Sequence, residues 1–354
     1  MLLLVAGGQY GGEGKGNIVA AMASNLLPDA LIKTGGPNSA HTYGDKLGAL
    51  WKLRTLPAGS SFFGGDVIYP AGCLLSPASL FAEMDSTQTS ARVSVDPRTG
   101  VLLDRHVEAQ REDGARYLEI GSTMTGTGAA AADRCLRRLP LAREIDELQP
   151  HLADTQSMLL DLAVPSRLGI IEGSQSYGLS NYFGDYPYVT SRDSSIPGLW
   201  AQLGISSKYL GASILVMKAF PTRNRHGDGT EPQLYGEPEL ESAVGPQIEE
   251  YGGGDFAGGD RRRRVGLFDW SNASRVIQVM SPDFIAVTGL DRIRDLVHVP
   301  LVRQAYGGAE EFLQMLETRL GVPVGLASYG PLIEDVIMRQ PFLDYLGTTA
   351  HARL

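Results

Sequence analysis

The stretch VAGGQYGGEGKGNIVAAMA, residues 5–23, decides the fold of this chain. The apolar run Leu2–Ala6 leading into its glycines predicts a buried strand, and Lys15–Leu27 predicts a helix with apolar residues on one face. Glycines at such a turn permit positive φ and a close approach of the backbone to a ligand. Free amide groups at a helix N-terminus attract anions, so the stretch predicts a phosphate loop to which Lys15 adds positive charge.

This loop differs from a Walker A motif. In that motif four residues separate the first glycine from a Gly-Lys-Ser/Thr tripeptide. Here Gln9 stands at the first glycine position and Gly16 follows Lys15. The segment is therefore a phosphate loop of another kind, and a tight strand–helix turn without a ligand is the alternative.

Composition narrows the class of protein. The net charge of −9 over 354 residues argues against a dedicated nucleic-acid binder. Cys73 and Cys135 form no CxxC pair, so neither a zinc site nor a disulfide framework is expected. No run approaches the roughly 20 apolar residues of a membrane span, and Met1–Ala6 lacks the basic flank of a signal peptide. We expect a cytoplasmic globular protein with no nucleic-acid or membrane partner.

Strand and helix patterns alternate along the chain. Further strands are predicted at Leu31–Thr34, Val67–Pro70, Arg167–Glu172, Ile214–Phe220, Phe284–Val287, Val299–Arg303 and Val322–Ala327. Helices are predicted at Pro77–Met84, Ala129–Arg138, Gln156–Ala163, Pro197–Leu203, Ala273–Met280 and Glu310–Leu320. This alternation predicts an α/β fold with a mostly parallel central sheet and helices on both faces. Ligands bind such sheets at the carboxyl ends of the strands.

The domain organisation predicted from the sequence is simple. No low-complexity linker or internal repeat divides the chain, so we expect a single domain over residues 1–354 with loop insertions. The stretch Gly227–Asp260 is acidic and rich in glycine and proline, and it predicts a loop-rich excursion.

Eight blocks in chain order resemble signature segments of the adenylosuccinate synthetase family. They are GGQYGGEGKGNI (7–18), TGGPNSAHT (34–42), EIGSTMTGTG (119–128), EGSQSYGLSNYFGDYPYVTS (172–191), KAFPTR (218–223), GGDRRRRVGLFD (258–269), TGLD (288–291) and SYGP (328–331). The resemblance implies the family's P-loop-related α/β fold and its C–N ligase activity. In that reaction a nucleoside triphosphate phosphorylates the 6-oxygen of a purine nucleotide, and the amine of L-aspartate then displaces the phosphate.

The resemblance also implies a role for each matching position. His41 would be the general acid at the 6-oxygen, Gln175 would hydrogen-bond that oxygen, and Lys15 would complete the catalytic set. The nucleotide substrate would contact Gly12, Asn38, Ser122, Thr123, Arg137, Gln175, Thr190 and Arg261. Arg137 would reach across from the neighbouring subunit, which implies a homodimer. For His41 alone, a structural histidine in a turn is the alternative.

The co-substrates are assigned in the same way. The triphosphate would contact Gly11, Gly12, Glu13, Gly14, Lys15, Gly16, Asn17, Ala40, His41, Thr42, Arg263, Gly289, Asp291, Ser328 and Gly330. L-Aspartate would contact Asn224, Gly258, Gly259, Arg261 and Arg263, since paired guanidinium groups suit carboxylates. Mg²⁺ would lie at Gly12 and at the carbonyl of Ala40.

The chain departs from the family pattern at Gly12, where the family has an aspartate that acts as catalytic base at purine N1 and helps to hold Mg²⁺. Glycine supplies neither function. One interpretation is an altered or dead enzyme. The other is an enlarged pocket that admits the 2-amino group of a guanine nucleotide. The second interpretation resembles the bacteriophage branch of the family, which converts dGMP to N6-succino-2-amino-2′-deoxyadenylate and would work in the host cytoplasm.

Two further departures concern the co-substrates. Gly258 and Gly259 replace a Thr-Thr pair in the aspartate loop, and Gly289 replaces a lysine of the guanine-reading segment, whose Asp291 remains and could accept from a guanine base. The phage branch, which the chain resembles here, favours ATP or dATP, and we expect the same donor. We therefore predict a dGMP–aspartate ligase. The alternatives are an ordinary IMP- and GTP-dependent adenylosuccinate synthetase and a catalytically dead nucleotide-binding protein. The acceptor of the N1 proton stays open between water, the aspartate substrate and a triphosphate oxygen.

Overall fold

A computed structural model describes residues 1–89, 91–114, 119–164, 166–224, 232–245, 250–251 and 262–351. Its strands, in chain order, are β1 (Leu2–Gly7), β2 (Ala30–Lys33), β3 (His41–Gly44), β4 (Leu50–Leu53), β5 (Asp66–Tyr69), β6 (Leu74–Leu75), β7 (Arg92–Val95), β8 (Gly100–Val101), β9 (Gly169–Ser176), β10 (Leu210–Lys218), β11 (Thr222–Asn224), β12 (Glu250–Tyr251), β13 (Arg262–Val265), β14 (Phe284–Thr288), β15 (Val324–Ser328) and β16 (Val336–Met338).

The α-helices of the same residues are α1 (Lys15–Leu26), α2 (Pro77–Thr87), α3 (Asp104–Glu112), α4 (Thr127–Cys135), α5 (Thr155–Leu162), α6 (Ile196–Ala201), α7 (Glu237–Val244), α8 (Trp270–Met280), α9 (Leu290–Leu296), α10 (Pro300–Tyr306), α11 (Ala309–Leu320) and α12 (Gln340–His351). Short 3₁₀ turns lie at Ala142–Glu144, Asp146–His151, Tyr177–Leu179, Ser207–Tyr209 and Ile333–Asp335. In the described ranges, no helix combines the length and the apolar character that a bilayer crossing requires.

A nine-stranded sheet organises the described part of the chain, in the order β16-β15-β14-β10-β1-β9-β2-β5-β7. Neighbouring strands are parallel except for the pair β15 and β16 at one edge. The strand β1 lies between β9 and β10, so the glycine loop that follows it emerges at the centre of the sheet's carboxyl edge. The sheet is mostly parallel, as the sequence predicts.

Successive residues of β1 enter two different hydrophobic clusters. Leu2, Leu4 and Ala6 pack with residues of α6, α8, α9 and α11, whereas Leu3 and Val5 pack with residues of α1, α2 and α12. Side chains alternate between the faces of a strand, so β1 has helices over both faces. A parallel sheet buried in this way explains why its strands read as continuous apolar runs.

One predicted strand is wrong. The segment Val299–Arg303 is mostly helical, because α10 begins at Pro300 and extends to Tyr306. Proline suits the first turn of a helix, where its missing N–H has no partner to lose. Val302 and Tyr306, four residues apart, are both fully buried. A short apolar run does not distinguish a strand from a buried helix segment.

The sequence analysis missed several elements that shape the site. The hairpin β3–β4 carries His41, and the edge strand β7 pairs with β5. Of the stretch 227–260, the structure describes 232–245 and 250–251, which include the helix α7. A separate small sheet, β11-β13-β12, brings Asn224 opposite Arg263.

Candidate active site

The glycine loop turns around a buried carboxylate. Gly11, Gly12 and Gly14 have φ of 93°, 73° and 80°, a region that side chains disfavour. This path lets Glu13 fold back, and its Oε1 accepts hydrogen bonds from the amides of Gln9 (3.2 Å) and Gly11 (2.8 Å). The loop is therefore fixed by its own acidic residue.

The second oxygen of Glu13 also accepts two hydrogen bonds. Oε2 lies 2.8 Å from Lys15 Nζ and accepts a hydrogen bond of 2.7 Å from Ser176 Oγ. Burial by itself raises the pKa of Glu13, but the Lys15 charge and these hydrogen bonds outweigh it, and the pKa lies below its ordinary value. Glu13 is thus a structural anion that holds Lys15 beside the N-terminus of α1.

The N-terminus of α1 contacts the hairpin that carries His41. A Cβ on Gly16 would lie 2.9 Å from the Cβ of His41 and 2.9 Å from the carbonyl oxygen of Thr42. Only glycine permits this approach of helix and strand. The free amides of the helix and the side chain of His41 consequently border the same space.

His41 is held by a buried carboxylate. Its Nδ1 lies 2.7 Å from Oε1 of Glu172, its Nε2 lies 3.2 Å from Ser39 Oγ, and Glu172 also pairs with Lys33. The amide of Ala58 donates to Glu172 Oε2 at 2.7 Å. All three ionisable groups are buried, so this is a desolvated cluster at adjacent strand ends, since Lys33 and Glu172 are register partners.

The pKa values of Glu172 and His41 are both lowered, but for different reasons. Burial opposes ionisation of Glu172, but His41 and Lys33 outweigh burial and hold the pKa of Glu172 well below its usual range. Burial lowers the pKa of His41 more than Glu172 raises it, and the Lys33 charge adds to the lowering. Burial therefore works against the charged form of His41, whose Nδ1 lies toward Glu172 and whose Nε2 lies toward Ser39.

Gln175 has a strained backbone at the end of β9. Its φ is 67°, in the left-handed region where a non-glycine residue costs of order 1–3 kcal/mol. The β1–β9 register shifts at the same place, between the Val5 and Gly7 pairings, as at a bulge. The strained position brings the Gln175 side chain to the wall of the cavity.

Most predicted site residues line two adjoining cavities. The first, of about 230 Å³, is bordered by Gly11, Gly12, Glu13, Gly14, Lys15, Gly16, Asn38, Ala40, His41, Thr42, Thr123, Gln175, Asn224 and Arg263. The second, of about 550 Å³, shares Asn38, Thr123, Gln175 and Asn224 with the first and adds Ser122 and Thr190. Asn38 Nδ2 donates to Thr190 Oγ1 at 3.2 Å across the second cavity.

Several predicted triphosphate residues lie outside both cavities. Asn17 Nδ2 donates to Ser328 Oγ (3.3 Å) and to the carbonyl of Gly330 (3.2 Å), so these three residues meet at the end of β15. Gly289, with φ of 74°, precedes α9, and Asp291 lies in the first turn of that helix. The residues Gly258, Gly259 and Arg261 fall outside the described residues.

Arg137 does not reach either cavity of its own chain. It is exposed and has φ of 61°, and its guanidinium has no hydrogen bond or ion pair to any residue that the structure describes. The family resemblance predicts that this arginine contacts a nucleotide bound to the neighbouring subunit, and its role stays a prediction.

At Gly12 the space for a side chain is bordered by other residues. A Cβ there would lie 2.6 Å from Arg263 Nη1 and 2.8 Å from Thr222 Oγ1. The Arg263 guanidinium has no ion-pair or hydrogen-bond partner in the described part of the chain. Among the described residues that line the two cavities, Glu13 is the only carboxylate.

The residues present do not fit a resident metal ion. Gly12 offers no side-chain oxygen, and no group of three or more His, Cys, Asp or Glu suited to a metal occurs among the described residues. Mg²⁺ in nucleotide enzymes takes much of its coordination from phosphates and water. Apart from Glu13, whose two oxygens already accept four hydrogen bonds, the described cavity residues offer only uncharged oxygens, such as the backbone carbonyl of Ala40.

Sequence reasoning missed three residues of the site, Lys33, Glu172 and Arg223. Arg223 is buried beside both cavities, with Nη1 2.6 Å from Asp185 Oδ2 and its guanidinium 4.9 Å from the centre of the Tyr10 ring. Glu172 and Arg223 stand within the quoted blocks EGSQSYGLSNYFGDYPYVTS and KAFPTR. Charged residues at the ends of apolar strands were the signal that could have identified them.

Comparison with known proteins places the chain among purine enzymes. A family model described as adenylosuccinate synthetase matches residues 4–140 and 139–308. Adenylosuccinate synthetase of Pyrococcus sp. (strain ST700) is 35% identical over 343 residues, which cover 96% of this chain and 98% of the relative. The enzyme of Methanocaldococcus jannaschii is 34% identical over 339 residues, covering 94% of this chain and 95% of the relative.

Two solved structures share the fold. Fully ligated adenylosuccinate synthetase from Plasmodium falciparum has a TM-score of 0.79 at 20% identity, covering 96% of this chain and 99% of that one. Cyanophage S-2L succinoaminodeoxyadenylate synthetase (PurZ), bound to dGMP and dATP, has a TM-score of 0.78 at 22% identity, covering 100% and 99%. At these identities the likeness concerns the fold alone, and that is the fold that the sequence predicted.

Proposed function

This chain belongs to the adenylosuccinate synthetase family, and from that premise we propose that it joins L-aspartate to the 6-position of dGMP. As a family member it is a C–N ligase that joins aspartate to a purine nucleotide, in a reaction that uses Mg²⁺ and a nucleoside triphosphate. The finer proposal concerns the nucleotide. Its product would be N6-succino-2-amino-2′-deoxyadenylate.

The observation that carries this proposal is the absence of a side chain at Gly12. A carboxylate at that corner would meet N1 of the purine and crowd an amino group on C2. Gly12 has φ of 73°, and the groups nearest the empty Cβ position are the flexible end of Arg263 and the hydroxyl of Thr222. A guanine-type base therefore meets no fixed carboxylate beside its 2-amino group.

Thr222 is the residue that we propose as a hydrogen-bond acceptor for that amino group. Its hydroxyl donates a long hydrogen bond of 3.4 Å to the carbonyl of Gly11, and its oxygen keeps acceptor capacity. The hydroxyl lines the cavity beside Gly12, where a 2-amino group would donate to it if the base lies against residue 12. IMP carries only hydrogen at C2 and would leave this acceptor unused.

The second candidate is ordinary adenylosuccinate synthetase activity on IMP with GTP. It is favoured by the archaeal relatives, which bear that name at 34–35% identity over nearly the whole chain. A catalytically dead protein is the third. Against it, Lys15, His41 and Gln175 all border one cavity, and Gln175 does so at the cost of backbone strain.

For the co-substrates we propose ATP or dATP and Mg²⁺. Gly289 has no side chain to cover a guanine base, which favours an adenine donor, and GTP is the alternative. The metal would be bound mainly by the triphosphate, with the Ala40 carbonyl as the protein ligand. Gly12 could contribute its backbone oxygen alone.

We also propose that the chain works as a single domain within a homodimer. The central sheet draws strands from both halves of the sequence. The exposed guanidinium of Arg137 suits the phosphate of a nucleotide bound to the neighbouring subunit. Mixing equal amounts of Arg137→Ala and His41→Ala chains tests this. About half of the dimers are then heterodimers, and each has one intact site of two if Arg137 acts across the interface, so about a quarter of the wild-type activity should return.

A product assay tests the proposed function. The purified chain is given Mg²⁺, L-aspartate and ATP, with dGMP, GMP or IMP in separate reactions, and phosphate release and product mass are measured. The proposal expects a succino-2-aminodeoxyadenylate product from dGMP. Turnover of IMP without turnover of dGMP would select the second candidate, and no turnover of any nucleotide would select the third.

A further inference from the structure

The reaction of this family needs a proton acceptor at purine N1. The described residues that line the two cavities include one carboxylate, Glu13, and it is poorly suited to this task. Phosphorylation of the 6-oxygen requires that the N1–H bond break, so that its electron pair can move to the oxygen. Glu13 is the only carboxylate among the described lining residues, and its two oxygens accept four hydrogen bonds. Its lowered pKa makes it a weak base as well.

The cavity does offer a place where a second carboxylate would bind. Arg263 directs Nη1 to within 2.6 Å of the empty Cβ position of Gly12. Guanidinium groups bind carboxylates through paired, charge-assisted hydrogen bonds. A ligand carboxylate on Arg263 would therefore bind beside this corner, and because it is not tethered to residue 12 it can leave space for an amino group on C2.

L-Aspartate, the substrate of the family reaction, is a dicarboxylate. We infer that the aspartate substrate supplies the missing base itself: one of its carboxylates, paired with Arg263 beside Gly12, accepts the proton from purine N1. This inference rests on the aspartate ligase activity but not on which purine nucleotide is used. It makes Arg263 a positioning residue for a substrate-assisted reaction.

The electrons and protons balance in two steps. In the first, the substrate carboxylate takes the N1 proton, the 6-oxygen attacks the γ-phosphorus, and the bond to the β,γ-bridging oxygen breaks as the nucleoside diphosphate leaves. In the second, the aspartate amine attacks C6 and the bond between C6 and the phosphorylated oxygen breaks. The two protons that the ammonium group loses, together with the N1 proton, pass to the departing phosphate and to water.

Positional isotope exchange tests this assignment, because it reports the first step alone. ATP labelled in the β,γ-bridging oxygen is incubated with the full chain, Mg²⁺ and the nucleotide that supports the complete reaction. Succinate, which has both carboxylates but no amine, is added in one arm, acetate in a second, and no acid in a third. We expect succinate to accelerate the exchange about a hundredfold over the other arms, the scale of general-base catalysis. Equal exchange without any dicarboxylate would overturn the inference.

Two variants at residue 12 provide a matched pair. Gly12→Asp supplies a fixed carboxylate next to Arg263, and Gly12→Asn has the same shape without a base; both residues tolerate left-handed φ better than most. With IMP, exchange in Gly12→Asp should no longer depend on succinate, while Gly12→Asn should need it as the parent does. If both variants need succinate equally, the inference fails.

A failure of the proposed function gives a different pattern. If IMP and not dGMP supports the complete reaction, the dGMP proposal falls, yet the dependence of exchange on succinate can still be measured with IMP. If dGMP is the substrate and exchange ignores succinate, only the substrate-assisted base is rejected. His41 Nε2 would then be the proton acceptor to examine next.

Discussion

Nδ1 of His41 lies 2.7 Å from Oε1 of Glu172, and the same carboxylate pairs with Lys33. Glu172 thereby fixes the ring orientation of the histidine that lines the glycine-loop cavity. All three groups are buried, so the carboxylate has two tasks: it compensates the Lys33 charge, and it directs Nε2 of His41 away from itself. Each task has a measurable consequence.

Replacing Glu172 with glutamine should damage both stability and turnover. The variant leaves the Lys33 ammonium buried without its counter-charge, and breaking a buried pair in this way costs about 3–5 kcal/mol. Urea unfolding measures that loss. Turnover should fall mainly through kcat, since Glu172 does not line the cavity. A variant with wild-type kcat would show that His41 needs no partner.

His41→Ala is the reference for that experiment. If His41 stabilises charge on the 6-oxygen, its removal should lower kcat about 10²–10³-fold, as for other electrostatic donors. The effects of Glu172→Gln and His41→Ala should be less than additive in the double variant, because one residue acts through the other. Additive losses would mean that the two residues act independently.

Stability should decline at acid pH because of Glu172. Its pKa lies below the ordinary 4.5 in the folded chain, so the unfolded chain binds a proton there first. The stabilisation is complete above pH 4.5 and is lost as the pH falls below that value toward the folded pKa. Between wild type and Glu172→Gln, the slope of unfolding free energy against pH below 4.5 should differ by about one proton. Equal slopes would contradict the depressed pKa.

Gln175 should prove to be a strained residue. Relieving a left-handed backbone recovers roughly 1–2 kcal/mol, so Gln175→Gly should be more stable than Gln175→Ala by about that amount. Both variants lose the side-chain amide and should lose turnover alike. Thermal unfolding and steady-state kinetics of the pair measure the two effects. Equal stability of the variants would remove the case for strain at this position.

Gly16→Ala should separate α1 from the hairpin that carries His41. The new methyl group would lie 2.9 Å from a backbone carbonyl that cannot rotate away, and overpacking of this kind costs about 1–3 kcal/mol. Turnover should fall with stability as His41 shifts. Gly347→Ala is the control, since a Cβ there meets nothing within 4 Å and should stabilise α12 by about 0.5–1 kcal/mol. Normal turnover in Gly16→Ala would show that this contact does not position His41.

The parallel sheet could be predicted because its strands are continuous apolar runs, and because apolar residues recur with helical periodicity in the segments between them. The segment Val299–Arg303 could not be assigned in the same way, because five residues fit either structure. The edge strand Arg92–Val95 escaped notice because Arg92 and Ser94 interrupt its apolar residues. Local pattern alone carries no information about which neighbour a short strand will pair with.

The path of the glycine loop could be predicted, because it depends on the backbone freedom of the glycines themselves, whereas its binding of phosphate stays a prediction. The glycines of the loop and Lys15 read as a phosphate loop directly, whereas His41 depended on the family resemblance. Lys33 and Glu172 were not found, since their pairing depends on β2 and β9 being neighbours in the sheet. Arg263 and Gly12 are 251 positions apart in the sequence, and motif spacing predicts no contact between residues so far apart.

A competition assay tests the central claim most directly. Equal concentrations of dGMP and IMP compete in one reaction with the purified chain, Mg²⁺, L-aspartate and ATP, and the ratio of the two succino products gives the ratio of kcat/KM. We expect the dGMP product to dominate by about tenfold or more, the scale of 1.4 kcal/mol of discrimination. A reaction in which the IMP product dominates would contradict the account and make this chain an ordinary adenylosuccinate synthetase.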